Sequence, residues 1–94
     1  MIQFRPDPHA PIRVASVYSM AVAINEAHHL QRSGTCIDLV WAAIHLSAAI
    51  EWLEHQAVHC PGPRRRENRR FLARHATRHH RCVMQHLNRL LDDY

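Results

Sequence analysis

Apolar residues recur along three segments of the chain, and helix-breaking residues separate these segments. All five prolines and both glycines fall within residues 6–11, at residue 34 and within residues 61–63. Between these points the apolar residues follow a helical period, and runs of β-branched residues are absent. The pattern predicts an extended, proline-rich arm over residues 1–10 and one helical domain over 11–94, with helices over about 11–32, 35–59 and 63–92.

Two of the predicted helices begin with recognisable start signals. Thr35, with Asp38 three residues later, has the pattern of an N-terminal capping box. Pro63 suits the first turn of the third helix, where its missing N–H group would have no partner in any case. Helices of this length extend roughly 30–45 Å at 1.5 Å per residue. We therefore predict an all-α fold, in which three long helices form an antiparallel bundle.

The second helix is apolar on two sides, which bears on assembly. One stripe contains Ile37, Val40, Trp41, Ile44, Ala48 and Trp52. The second stripe contains Leu39, Ala43, Leu46, Ile50, Leu53 and Ala57. At 100° per residue the stripes lie nearly opposite each other, and a helix that is apolar on both sides is buried or sandwiched. We predict that a second copy of the chain, or another protein, covers the second stripe, whose heptad-like spacing suits helix pairing. The alternative is that the first helix wraps further around the second.

The third helix divides into three sectors on a helical wheel. One sector is apolar and is predicted to face the core. The opposite sector is a basic face formed by Arg70, Arg74, Arg78 and Arg81. A line of histidine and cysteine lies at the boundary between them and contains His75, His79, Cys82 and His86. The pattern predicts an amphipathic helix with one strongly basic side.

The positive charge of the chain suggests nucleic-acid binding as a further hypothesis. The formal net charge is +4, and arginine supplies all 12 basic residues, since the chain contains no lysine. Nine of these arginines lie within 64–89, a concentration that attracts phosphate. A lysine-free composition is also typical of a GC-rich bacterial genome, which reduces the weight of the arginine count. The pattern indicates neither a helix-turn-helix unit nor an aromatic stacking platform, so only non-specific phosphate contact is expected.

The histidines and cysteines suggest a metal-binding alternative. One straight helix cannot bring its whole His/Cys line to a single ion, because residues 75 and 86 are roughly 16 Å apart along the axis. Antiparallel hairpins place a different set at one level of the bundle, which could bind zinc or another transition metal. This candidate set is His28, His29, Cys36, Cys82 and His86. A second line, Glu51, His55 and His59, could bridge two subunits. Half-buried, hydrogen-bonded histidines are the alternative interpretation.

Several function classes are disfavoured by what the chain lacks. Three cysteines are an odd number and are typical of free thiols in a reducing cytoplasm. No run of about 20 apolar residues is evident, so we expect no membrane span. With two glycines in the whole chain, no phosphate-binding or oxyanion-binding loop is recognisable, and we expect no enzymatic activity.

A binding protein remains the favoured class. We expect a small regulatory or adaptor protein of the bacterial cytoplasm, homodimeric and without a cofactor. Its helices would cover an acidic or apolar surface of a protein partner, with the second stripe as the contact surface. The alternatives are a nucleic-acid-associated protein that uses the basic face and a metal-binding protein that uses the His/Cys set.

Overall fold

The computed structural model describes residues 7–93, and within that range it contains three α-helices and no β-strand. Helix α1 spans Val17–Ser33, α2 spans Cys36–His59 and α3 spans Pro63–Asp92. The all-α prediction is confirmed. The bounds of α2 and α3 differ from the predicted bounds by at most one residue, because glycine and proline fix them locally.

Helix α1 begins six residues later than predicted. Ser16 caps it: the Ser19 N–H donates to Ser16 Oγ at 3.1 Å, and the Ser16 N–H donates to Ser19 Oγ at 2.9 Å. This reciprocal pair forms a capping box made of two serines, a variant of the usual Ser/Thr with Glu/Gln. The predicted start at residue 11 is therefore wrong. Ile12 and Val14 instead alternate inward in an extended segment and pack against the core.

Gly34 makes the sharp connection between α1 and α2. Its φ angle of 71° lies in the left-handed region, which glycine adopts without the steric penalty of a Cβ atom. Thr35 then caps α2 by accepting a hydrogen bond from the Asp38 N–H at 3.3 Å. Pro63 stands at the start of α3, as predicted.

Helix α2 is the centre of a flat molecule. Both α1 and α3 pack against α2, while α1 and α3 make few contacts with each other. The described residues extend 48 × 40 × 16 Å along their principal axes, so the three helices form close to a single layer. The buried apolar residues of the two core clusters are Met20, Ala23, Ala27, Leu30, Leu39, Ala42, Ala43, Leu46, Ala49, Leu53, Ala73, Val83 and Leu87.

The second stripe of α2 faces the core of its own chain. The prediction that another chain covers this stripe is therefore not supported by the fold. Five of its six residues are buried, Leu39, Ala43, Leu46, Leu53 and Ala57, and Ile50 is half-buried. A partner could reach this stripe only if the helices separated. The physical reason is the flat arrangement: α1 and α3 approach α2 from widely separated directions and bury a broad arc of its surface.

The open apolar side chains of α2 come from the first stripe instead. Ile37, Val40 and Ile44 are 53%, 38% and 41% exposed. Their i, i+3, i+7 spacing places them on one side of the helix, and we call them the apolar row.

The sequence pattern predicted that no apolar run is long enough to span a membrane. This prediction is wrong, because one helix has the required length and composition. Among residues 7–93, α2 alone is long and apolar enough to cross a membrane, and 33% of its most apolar window is buried within the protein. A central helix with neighbours on two sides has the same composition. Length and composition therefore do not distinguish a membrane-spanning α2 from an α2 that is the central helix of a bundle.

The segment before α1 is attached to α2 by two polar contacts. Residues Asp7–Ala10 form a turn in which the Ala10 N–H donates to the Asp7 carbonyl oxygen at 3.2 Å. His45 Nε2 donates to the carbonyl oxygen of Pro8 at 2.9 Å. His9 Nε2 lies 2.5 Å from Asp38 Oδ1, and Ser33 Oγ donates to the other carboxylate oxygen. These contacts were not predicted. Most of the predicted arm over 1–10 lies outside the described residues.

Candidate functional site

A groove between α2 and α3 brings the predicted basic face together. It consists of two adjoining cavities of about 340 and 290 Å³, both lined by Glu54, Ala73 and Arg74. The first cavity is also lined by Thr77, Arg78 and Arg81, and the second by Ala57, Val58 and Arg70. All four predicted arginines therefore line one feature of the surface, which we call the basic groove. Its small residues leave room between the helices, and its arginines come from α3.

The charges in the basic groove are only partly compensated. Arg70 lies 3.9 Å from Glu67, and both side chains are more than half exposed, so this pair contributes little stability. Within residues 7–93, Arg74, Arg78 and Arg81 make no ion pair. Glu54 is the single carboxylate that lines the groove. A cleft with an excess of one charge concentrates the opposite charge, so this groove favours an anionic ligand.

The open side of α2 joins the basic groove to the apolar row. Val58, which is 75% exposed, lines the groove, and the apolar row lies towards the other end of the same helix. At 100° per residue, Val40, Ile44, Glu51, Glu54 and Val58 fall within a sector of about 80°. One continuous surface therefore carries apolar groups towards the start of α2 and guanidinium groups towards its end.

Two neighbouring histidines of α3, His79 and His80, make contacts with the other helices. His79 Nε2 donates to Gln31 Oε1, and its ring stacks on His28 with the ring centroids 4.0 Å apart. His80 on α3 and Ser47 on α2 form a hydrogen bond of 3.2 Å. Within residues 7–93, His79 is the single histidine of the predicted boundary line that is half-buried and hydrogen-bonded, whereas His75 is exposed.

Burial changes the acid–base behaviour of His79. Its pKa is lowered to about 4, mainly by loss of solvent and then by the nearby charges of His28, His75 and His80, in that order of size. Its Nδ1 atom is buried and has no hydrogen-bond partner among the described residues. His79 is therefore a neutral ring at physiological pH.

The predicted metal set is not brought together. Nowhere in residues 7–93 do three His, Cys, Asp or Glu side chains lie close enough to hold one ion. Cys82 and His29 are exposed, whereas Cys36 packs against the core. The prediction aligned His28 with residue 83, but His28 contacts His79, one helical turn earlier. A shift of one turn between α1 and α3 is enough to disperse the set.

A third cavity lies beside the second histidine line, Glu51, His55 and His59. It measures about 400 Å³ and is lined by Val14, Ala48, Glu51, Trp52 and His55. The ring centroids of His55 and His59 are 4.3 Å apart. Sequence reasoning placed Val14 inside a helix and so missed this cavity. The apolar alternation of Ile12 and Val14 was the available signal.

Comparisons of the chain with protein-family models, with curated proteins and with solved structures gave no match. The function must therefore be argued from the surface itself.

Proposed function

We propose that the protein is a non-enzymatic adaptor or regulator that binds an acidic amphipathic helix of a protein partner in the basic groove. The observation that carries this proposal is the row of four exposed arginines along a groove whose floor consists of small residues. An amphipathic helix in a groove is a recurrent mode of peptide recognition. The bacterial cytoplasm remains the expected location.

The dimensions of the groove suit such a ligand. Arg70 and Arg81 are eleven residues apart, which corresponds to roughly 16 Å along α3, or three turns of a bound helix. Carboxylates on one side of the partner helix would pair with the guanidinium groups, and apolar residues beside them would contact Val58. Because Arg74, Arg78 and Arg81 have no ion pair within residues 7–93, they need not break one to bind.

The homodimer is proposed on the apolar row rather than on the second stripe. Ile37, Val40 and Ile44 are exposed one after another along α2. The α2 helices of two copies could therefore pack together and remove this apolar surface from water. This arrangement would leave the part of the basic groove lined by Val58 and Arg70, towards the other end of α2, open to a partner.

The dimer can be tested by light scattering on the untagged chain. We expect a dimer at micromolar concentration and a monomer for the variant with Val40→Glu and Ile44→Glu, because two carboxylates would be buried at the contact. Leu91→Glu is the matched control, since Leu91 is 54% exposed but lies outside the row. A wild-type monomer, or equal dissociation in the control, would contradict the proposal.

The partner chemistry can be tested with a labelled peptide. The probe is a helical peptide with glutamates on one side and leucines beside them, and binding is followed by fluorescence anisotropy. Arg74→Glu with Arg78→Glu is expected to weaken binding at least about tenfold, because like charges then face each other. Arg64→Glu with Arg89→Glu provides an equal charge change on α3 outside the groove. Equal weakening by both variants would indicate a general charge effect and reject the groove.

The same variants separate the nucleic-acid alternative. Phosphate-driven binding is strongest at low salt, so a gel shift at about 50 mM salt is the sensitive condition. The arginine row is the observation that favours this alternative, because guanidinium groups also bind phosphate. Binding of DNA or RNA, with no binding of the acidic peptide, would replace the protein-partner proposal.

A further inference from the structure

A pair of exposed histidines stands at the end of α2. His55 and His59 are separated by one helical turn, with their ring centroids 4.3 Å apart and the ring planes tilted by 48°. Both residues are exposed, and neither makes a hydrogen bond within residues 7–93. Their imidazole nitrogens are therefore available to a ligand from solvent.

We propose that His55 and His59 chelate one divalent transition-metal ion of the nickel, copper or zinc class. Histidines at i and i+4 lie on one side of a helix and can share an ion, as in helical zinc sites. Neutral imidazole suits these metals, in contrast to magnesium and calcium, which favour oxygen ligands. Two protein ligands leave the remaining coordination positions to water or to a small ligand.

Two features of the surroundings favour a cation at this place. His59 is the last residue of the 24-residue helix α2, where the helix dipole presents about half a negative charge. Glu51, one turn before His55, lines the adjoining cavity of about 400 Å³ and adds a carboxylate. The open coordination positions can face this cavity, whose other lining residues are Val14, Ala48 and Trp52.

The one other histidine pair with this spacing, His75 and His79, is less suited to bind an ion. His79, the partner of His75 by spacing, is stacked on His28 and bonded to Gln31. Binding through His79 would require these contacts to α1 to break. The pair at 55 and 59 has no such competing contact, so it is distinguished by its surroundings and not by its spacing alone.

Trp52 makes the site observable. It lines the same cavity as His55, so a paramagnetic Ni²⁺ ion at the pair lies close enough to quench its fluorescence. The chain contains two tryptophans, and Trp41→Phe leaves Trp52 as the single reporter while keeping an aromatic ring beside His9 and His45.

The experiment is a Ni²⁺ titration of the untagged Trp41→Phe chain at about pH 7.5, followed by Trp52 fluorescence, with stoichiometry from calorimetry. We expect saturable quenching by one ion. His55→Gln or His59→Gln should weaken it at least about tenfold, since even loss of a second-shell partner costs 10–100-fold in metal affinity.

His75→Gln is the matched control, because His75 is also exposed and also lies one turn from a second histidine. It should titrate like the parent chain. Absence of saturable quenching, or equal titration of the His55→Gln, His59→Gln and parent chains, would overturn the proposal. Circular dichroism verifies that each variant keeps its helices, and either variant of the pair suffices for the test. The acidic-peptide assay is independent of this site, so the two proposals can fail separately.

Discussion

Replacing His45 by alanine is expected to lower the free energy of unfolding by about 2–4 kcal/mol, because it creates a cavity and removes a hydrogen bond. His45 is 1% exposed, and its Nε2 donates to the Pro8 carbonyl oxygen at 2.9 Å. Its ring also packs against Trp41, with the centroids 5.9 Å apart. The measurement is urea unfolding followed by circular dichroism.

The comparison with two other variants locates the cause. His45→Phe keeps an aromatic ring but loses the donor to Pro8, so we expect a smaller loss of about 1–2 kcal/mol. His55→Ala removes an exposed histidine from the same helix and should change stability by no more than about 0.5 kcal/mol. A loss for His45→Ala that is no greater than for His55→Ala would show that the segment 7–16 does not depend on this contact.

Acidification from about pH 7.5 to pH 4 is expected to lower the melting temperature, and His79 is one identifiable cause. Its pKa is about 4 in the folded protein, against 6.5 for the unperturbed side chain. Between these values the unfolded state binds a proton that the folded state does not, so stability falls as the pH falls through this window. Because His79 is only half-buried, solvent screening reduces the effect to about 1–2 kcal/mol, or several degrees in Tm.

Asp38 acts in the same direction at lower pH. Hydrogen bonds from Ser33 and then His9 are the main causes that lower the pKa of this carboxyl. A carboxyl with a lowered pKa stabilises the fold above its unperturbed pKa of 3.8, and this contribution disappears as the pH falls through the lowered value. Of these two groups, His79 is therefore the one expected to change the melting temperature between pH 4 and pH 6.5.

His79→Gln isolates the contribution of the buried ring. The variant cannot titrate but retains an amide donor for Gln31, so its melting temperature should vary less with pH in this window. His55→Gln removes an exposed histidine that is not among the charges acting on His79, and it serves as the control. An unchanged pH dependence in His79→Gln would mean that other groups cause the acid sensitivity.

Sequence reasoning succeeded where local chemistry is decisive. Gly34, Thr35 and Pro63 fix the ends of α2 and α3 through the backbone geometry of glycine, a side-chain cap and the missing N–H of proline. The basic face was also predicted, because helical periodicity alone places its four arginines on one side of α3. The sequence does not predict that this basic face lies along a groove beside Glu54, because that position depends on which side of α2 packs against α3.

Sequence reasoning failed where two local patterns compete. Residues 11–16 have apolar positions that fit either a helix or an extended segment, and the serine capping box decides in favour of a start at Val17. Ile12 and Val14 can then reach the core, and Pro8 can reach His45. Nothing near residue 45 in the sequence indicates this contact across 37 positions.

The sequence by itself determined the number of helices, the ends of two of them and the amphipathic character of α3, because these depend on neighbours within a few residues. Only the tertiary structure decided which stripe of α2 is inside and which histidines meet. Both depend on the direction and register with which α1 and α3 approach α2. A register difference of one helical turn dispersed the predicted metal set, and the flat arrangement left the apolar row open. Side-chain packing between distant segments sets these quantities, and the periodicity of a single helix contains no information about them.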